Sequence, residues 1–78
     1  MKIGDRLAIY GWKEDTDEFF DLAVKIFRST GFPNVEQFLF NPIKALNFCY
    51  EVRSCSGVVI SDEELLQMLM NLRKRGYF

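Results

Sequence analysis

Apolar residues recur along this chain with the period of an α-helix. Three times the pattern is cut by a glycine and an apolar residue: Gly31 before Phe32, Gly57 before Val58 and Gly76 before Tyr77. A glycine that closes a helix takes the left-handed conformation without steric cost, and the apolar residue after it folds back onto the last turn. Three such stops predict three main helices.

The last is the best defined. Ser61 and Glu64 have the spacing of a capping box, flanked by Ile60 and Leu65 at the positions of a hydrophobic staple. Asp62, Glu63 and Glu64 crowd the positive end of the helix dipole, and Arg73, Lys74 and Arg75 the negative end. The pattern predicts a helix from Asp62 to Arg75. Leu65, Leu66, Met68, Leu69, Met70 and Leu72 sweep an arc of roughly 200°, so this helix touches two neighbours or leaves apolar surface for a partner.

The first helix follows the same plan. Asp15 or Thr16 is its cap, Asp17, Glu18 and Asp21 come early, and Lys25 and Arg28 come late, with an end near Ser29 ahead of Pro33. Phe19, Phe20, Leu22, Ala23, Val24, Ile26 and Phe27 again cover roughly 200°. Asn34 can cap a short turn in which Val35, Phe38 and Leu39 share a face and Gln37 closes the box; an extended connector is the alternative. Asn41 and Pro42 then open the middle helix, which runs to about Ser54. Its apolar residues leave only the strip Lys44, Asn47, Glu51 and Ser54, as in a helix buried among its neighbours. Arg53 falls inside the apolar arc, where a guanidinium must reach water or a carboxylate.

The first dozen residues fit two periods. Leu7, Ile9 and Gly11 alternate with Ala8, Tyr10 and Trp12 as in a strand, whereas Ile3, Leu7 and Tyr10 fit a helix. Val58, Val59 and Ile60 offer a pairing partner for a two-stranded ribbon with Leu7 to Tyr10. The expected fold is therefore all-α: a small single-domain helical bundle over residues 1–78, with three main helices, a short fourth before Asn41 and an irregular or short extended N-terminal segment.

Composition narrows the function more than it defines it. A chain of 78 residues buries roughly 60% of its unfolded surface, so its core is thin. Its 49% apolar and 15% aromatic content still suits a folded protein. A net charge of −1 creates no general attraction to nucleic acid or anionic membranes. No apolar run approaches the roughly 20 residues of a membrane span, and the N-terminus lacks a signal-peptide pattern, so the chain is expected in the cytoplasm, off the membrane. Cys49 and Cys55, six residues apart on one helix, are separated by roughly 9 Å of rise, too far for a disulfide unless the helix unwinds at Ser54, and are expected as free, packed thiols.

The absence of histidine removes the usual catalytic triads and the imidazole ligands of zinc, and two cysteines do not make a structural zinc site. No phosphate loop, calcium loop or nucleophile elbow occurs. Glu14, Asp15, Asp17, Glu18 and Asp21 lie where a helix N-terminus favours carboxylates. The expectation is a non-enzyme without metal or cofactor.

Two surfaces remain. Met68 and Met70 resemble in kind the adaptable methionines of promiscuous binding faces, although packing in the core is the first use expected of them. Arg73, Lys74 and Arg75, followed by Tyr77 and Phe78, combine basic charge with rings able to stack on bases. The stretch from Ser61 to Phe78 resembles the last helix and first wing residue of winged-helix domains, with leucines at helical spacing, a basic turn and a Gly-Tyr-Phe exit. That likeness covers too little of the chain to assign a family. The candidate partner-binding residues are Met68, Met70, Arg73, Lys74, Arg75 and Tyr77. With Trp12, Phe32, Phe40 and Phe78 also outside the main helices, the apolar excess points to a small protein-binding or self-associating accessory domain. Nucleic-acid binding through the basic C-terminal turn is the alternative.

Overall fold

In the computed structural model, which describes residues 3–77, the helices are α1 (Ile3–Ile9), α2 (Thr16–Ser29), α3 (Val35–Leu39), α4 (Pro42–Ser56) and α5 (Asp62–Lys74). Phe78 lies outside the described residues, as do Met1 and Lys2. The three expected helices are present within two residues of their predicted ends, and Asn34 and Asn41 cap α3 and α4. Asn34 Oδ1 accepts from the Gln37 amide at 2.9 Å, and Asn41 Oδ1 from the Lys44 amide at 3.3 Å. Segment 35–39 is thus a helical turn, not an extended connector.

The N-terminal segment departs from expectation. It is helical, and Gly11 ends it with the positive φ that Gly31, Gly57 and Gly76 also take: its φ is 108°, and the amide of Trp12 donates back to the Leu7 carbonyl at 2.8 Å, as that of Tyr77 does to Leu72 after Gly76. Glycine-then-apolar is therefore a stop used four times. No strand forms among the described residues. Val58 and Ile60 do point inward and Val59 outward, the alternation of a strand. A single backbone bond, from the Val59 amide to the Tyr10 carbonyl at 3.3 Å, takes the place of the expected ribbon.

The core forms where α2, α4 and α5 meet, closed at one end by α3. Phe38 of α3 is fully buried and stands edge-on to Phe27, Phe32 and Phe48, with ring centroids 5.2, 5.3 and 5.6 Å away. Phe32 therefore packs beneath Phe38 after the Gly31 stop. Trp12 lies edge-on to Phe19 at 5.2 Å and donates its indole N–H to the Asp15 carbonyl, which fixes the entry to α2. Asp15 is the residue before that helix, but its side chain makes no capping bond.

The capping box of α5 is only half formed. Ser61 Oγ accepts from the Glu64 amide at 3.2 Å, while the Glu64 carboxylate turns away from the cap to α1. There its Oε1 is 3.1 Å from Arg6 Nη1 and accepts from the Tyr10 hydroxyl at 3.1 Å. A side chain expected to serve its own helix instead ties the N-terminal helix down. Ile60 and Leu65, the staple positions, are both buried.

Helix α4 packs on α2, α3 and α5, but only through Ala45, Phe48, Cys49 and Val52. The expectation that it is buried on all but one polar strip is overturned: Ile43, Leu46 and Tyr50 are exposed as well. The reason is size. Three helices cover one side of α4, and α1 packs on α2 rather than on the far side of α4. Arg53 does find its carboxylate, bonding to Asp62 Oδ1 and to the Ile60 carbonyl.

Candidate interaction surface

The residues marked by sequence at the end of α5 are dispersed. Met68 is 4% exposed and belongs to the core; Met70 packs against the core from its edge. Arg73 is held by Glu36 of α3 at 2.7 Å, so part of the basic turn is neutralised by the protein itself. Lys74 and Arg75 are exposed. Tyr77 rests edge-on against Phe20 at 6.0 Å, and its carbonyl accepts from Arg28 at 3.4 Å, so this ring serves packing. The two methionines and three cations do not form one face.

A groove of about 410 Å³ runs between α1 and α5, floored by Phe20, Met68 and Leu72 and edged by Arg6, Glu64 and Arg75. Glu64 Oε2 is buried without a hydrogen-bond partner, a cost that the bonds of Oε1 to Arg6 and Tyr10 must offset. Its closure from solvent puts that oxygen out of reach of anything lying in the groove. The hydrogen bond to Glu64 holds the Tyr10 phenol above its usual pKa.

The sulfur atoms occupy unlike settings. Cys49 is buried, its Sγ 3.9 Å from the Asp62 carbonyl, and burial followed by the nearby Asp62 charge pushes its thiol up to about 11. Both are free, but Cys55, in the last turn of α4, is exposed and not packed as expected. In the first turn of α2, the Glu18 carboxyl is held above its ordinary pKa because its protonated form donates a hydrogen bond to Glu14 and because the Glu14 charge disfavours a second carboxylate beside it. Both residues are exposed on the surface.

The surface that stands out is on α4. Ile43, Leu46 and Tyr50 are 71%, 53% and 67% exposed, and Phe40, three residues ahead of Ile43, is 87% exposed. Spaced at i, i+3 and i+7, the three helical residues line one stripe within roughly 60° of arc. Counting roughly 200 Å² for a large side chain, the four leave on the order of 500 Å² of apolar surface in water, near the top of what a monomer usually exposes. Lys44, Asn47 and Glu51 border the stripe along the recess between α4 and α2. Sequence periodicity identified Ile43, Leu46 and Tyr50 but assigned them to the core, because periodicity shows which positions are apolar and not which are covered; Phe40 it left outside the helices, in the apolar excess.

No protein-family model matches the chain, and comparisons with curated proteins and with solved structures likewise find no significant match.

Proposed function

We propose that this chain is a small protein-binding accessory domain, without catalytic activity, that acts through the apolar stripe of α4. The observation that carries this reading is the alignment of Ile43, Leu46 and Tyr50, with Phe40 ahead of them, on a helix whose opposite side is fully engaged in the core. Leaving four large apolar side chains in water forgoes about 1.5–3 kcal/mol for each that could be buried, a cost a partner surface removes. Rings and branched aliphatics of this kind form the buried centre of protein interfaces. Free thiols at Cys49 and Cys55 suit a reducing cytoplasm. No described helix is long and apolar enough to cross a membrane. The pairing of Arg73 with Glu36 weakens the alternative of nucleic-acid binding at the C-terminal turn.

The test compares affinity isolations with the wild-type chain, Leu46→Glu, and Arg73→Glu with Arg75→Glu. Partners retained by the first and third and lost with Leu46→Glu, with little change between low and high salt, support the reading. Micromolar, salt-sensitive binding to DNA or RNA that the double charge reversal abolishes would replace it with the alternative.

A further inference from the structure

We infer that the partner on this stripe is a second copy of the chain, docked through α4 against α4 in antiparallel orientation about a two-fold axis near Asn47. The inference rests on the reading of α4 as the binding surface and adds the occupant.

The charges of α4 are the reason. In α2 and α5 the acids precede the bases, as the helix dipole favours. Helix α4 does carry a base in its last turn, Arg53, but that guanidinium is bonded to Asp62; among its exposed charges the order is reversed, with Lys44 in the first turn, which holds no acid, and Glu51 beyond the middle. Neither forms an ion pair among the described residues, so nothing in the monomer compensates the reversal. Seven residues apart, they lie on the same flank of the stripe, along the recess beside α2.

A two-fold rotation that makes two helices antiparallel brings like flanks together, so Lys44 of one copy meets Glu51 of the other, twice. In that register Ile43 lies near Tyr50 of the second copy, and the two Leu46 side chains meet beside the axis. Each Lys44 then leaves the unfavourable influence of its own helix N-terminus for a carboxylate. A parallel pairing sets Lys44 and Glu51 against the opposite flank and leaves both uncompensated. Two copies bury on the order of 1,000 Å² of apolar surface, which with a polar rim reaches the lower end of stable interfaces and implies a dimer that dissociates on dilution. The charge pairs select register and orientation more than they add affinity.

Sedimentation equilibrium from micromolar to millimolar concentration tests this, with circular dichroism confirming that each variant is folded. The wild-type mass is expected to rise from 9.2 kDa toward twice that value. Leu46→Glu should weaken association at least tenfold; Lys44→Glu and Glu51→Lys should each weaken it several-fold, and their combination should restore it. If the combination stays as weak as the single changes, the antiparallel register is wrong. A chain that stays at 9.2 kDa at millimolar concentration overturns the second copy as occupant. In that case, loss of other protein partners in Leu46→Glu would leave the broader protein-binding reading standing. Association unaffected by Leu46→Glu overturns both.

Discussion

Phe38 and Phe40 are two residues apart and predict opposite consequences, a contrast on which the orientation of α3 and the α4 surface both depend. Phe38 is fully buried and shares edge-to-face contacts with Phe27, Phe32 and Phe48, whereas Phe40 is 87% exposed. Truncating a buried phenylalanine costs about 3–5 kcal/mol from lost transfer energy and the cavity left behind. A domain of this size has about 4–12 kcal/mol of stability, so Phe38→Ala should leave it marginal or unfolded at 25 °C. Phe38→Leu keeps much of the volume and forfeits ring contacts worth about 0.5–1.5 kcal/mol each, for a loss of about 2 kcal/mol. Phe40→Ala should stay within about 0.5 kcal/mol. Urea unfolding followed by far-ultraviolet circular dichroism measures all three; at a slope near 1 kcal/mol/M, Phe38→Leu should lower the midpoint by about 2 M. A loss below about 1 kcal/mol for Phe38→Ala, or equal losses at the two positions, would show that α3 is turned the other way and that Phe40 is not part of the exposed surface.

Ser61→Ala should cost about 1 kcal/mol, the usual penalty for a lost N-cap, in the same unfolding assay; no change would remove the cap bond to the Glu64 amide. A double-mutant cycle of Arg6→Gln and Glu64→Gln should return a coupling of about 0.5–1 kcal/mol, as expected for a half-exposed ion pair, and zero coupling would show that α1 is held by packing alone. Cys49 keeps its proton in the fold up to about pH 11 while the unfolded chain releases it near pH 9, so stability should fall as pH rises through that window and level off above it. The loss is about 2 kcal/mol and should vanish in Cys49→Ala; Tyr10→Phe removes the contribution of the raised phenol, which has the same sign. A thiol reagent at pH 8 should modify Cys55 in the native protein and Cys49 only after unfolding, read by mass spectrometry; rapid native labelling of both would contradict the buried setting of Cys49.

The course of the backbone was largely legible because its signals are local. Ser61, Asn34 and Asn41 cap the helices that follow them, Pro42 opens α4, and Gly31, Gly57 and Gly76 carry positive φ at the ends assigned to them. Each of these acts within a few residues, where sequence distance and spatial distance coincide. Gly11 before Trp12 carries the same message and was obscured by a competing period of two in Leu7, Ile9 and Gly11. The free state of the two cysteines followed in the same way, from the helical rise between them, whereas the exposure of Cys55 did not.

Partners far apart in the chain were beyond that reach. Glu64 has the right spacing to close its own capping box, yet it bonds Arg6 and Tyr10, more than fifty residues away, because packing brings α1 over the start of α5 and a carboxylate gains more from a cation and a phenol than from a single amide. Arg73 reads as a dipole-compensating base and is also the partner of Glu36. The candidate surface shows the same division. The apolar character of α4 and α5 was written in the order of residues, which thereby determined that this chain forms helices with more apolar surface than so small a core can hold. Which part stays in water depends on which sides neighbouring helices cover, and the tertiary structure placed Met68 inside and left Ile43, Leu46 and Tyr50 outside, since burial belongs to the assembled set of helices and not to any one of them.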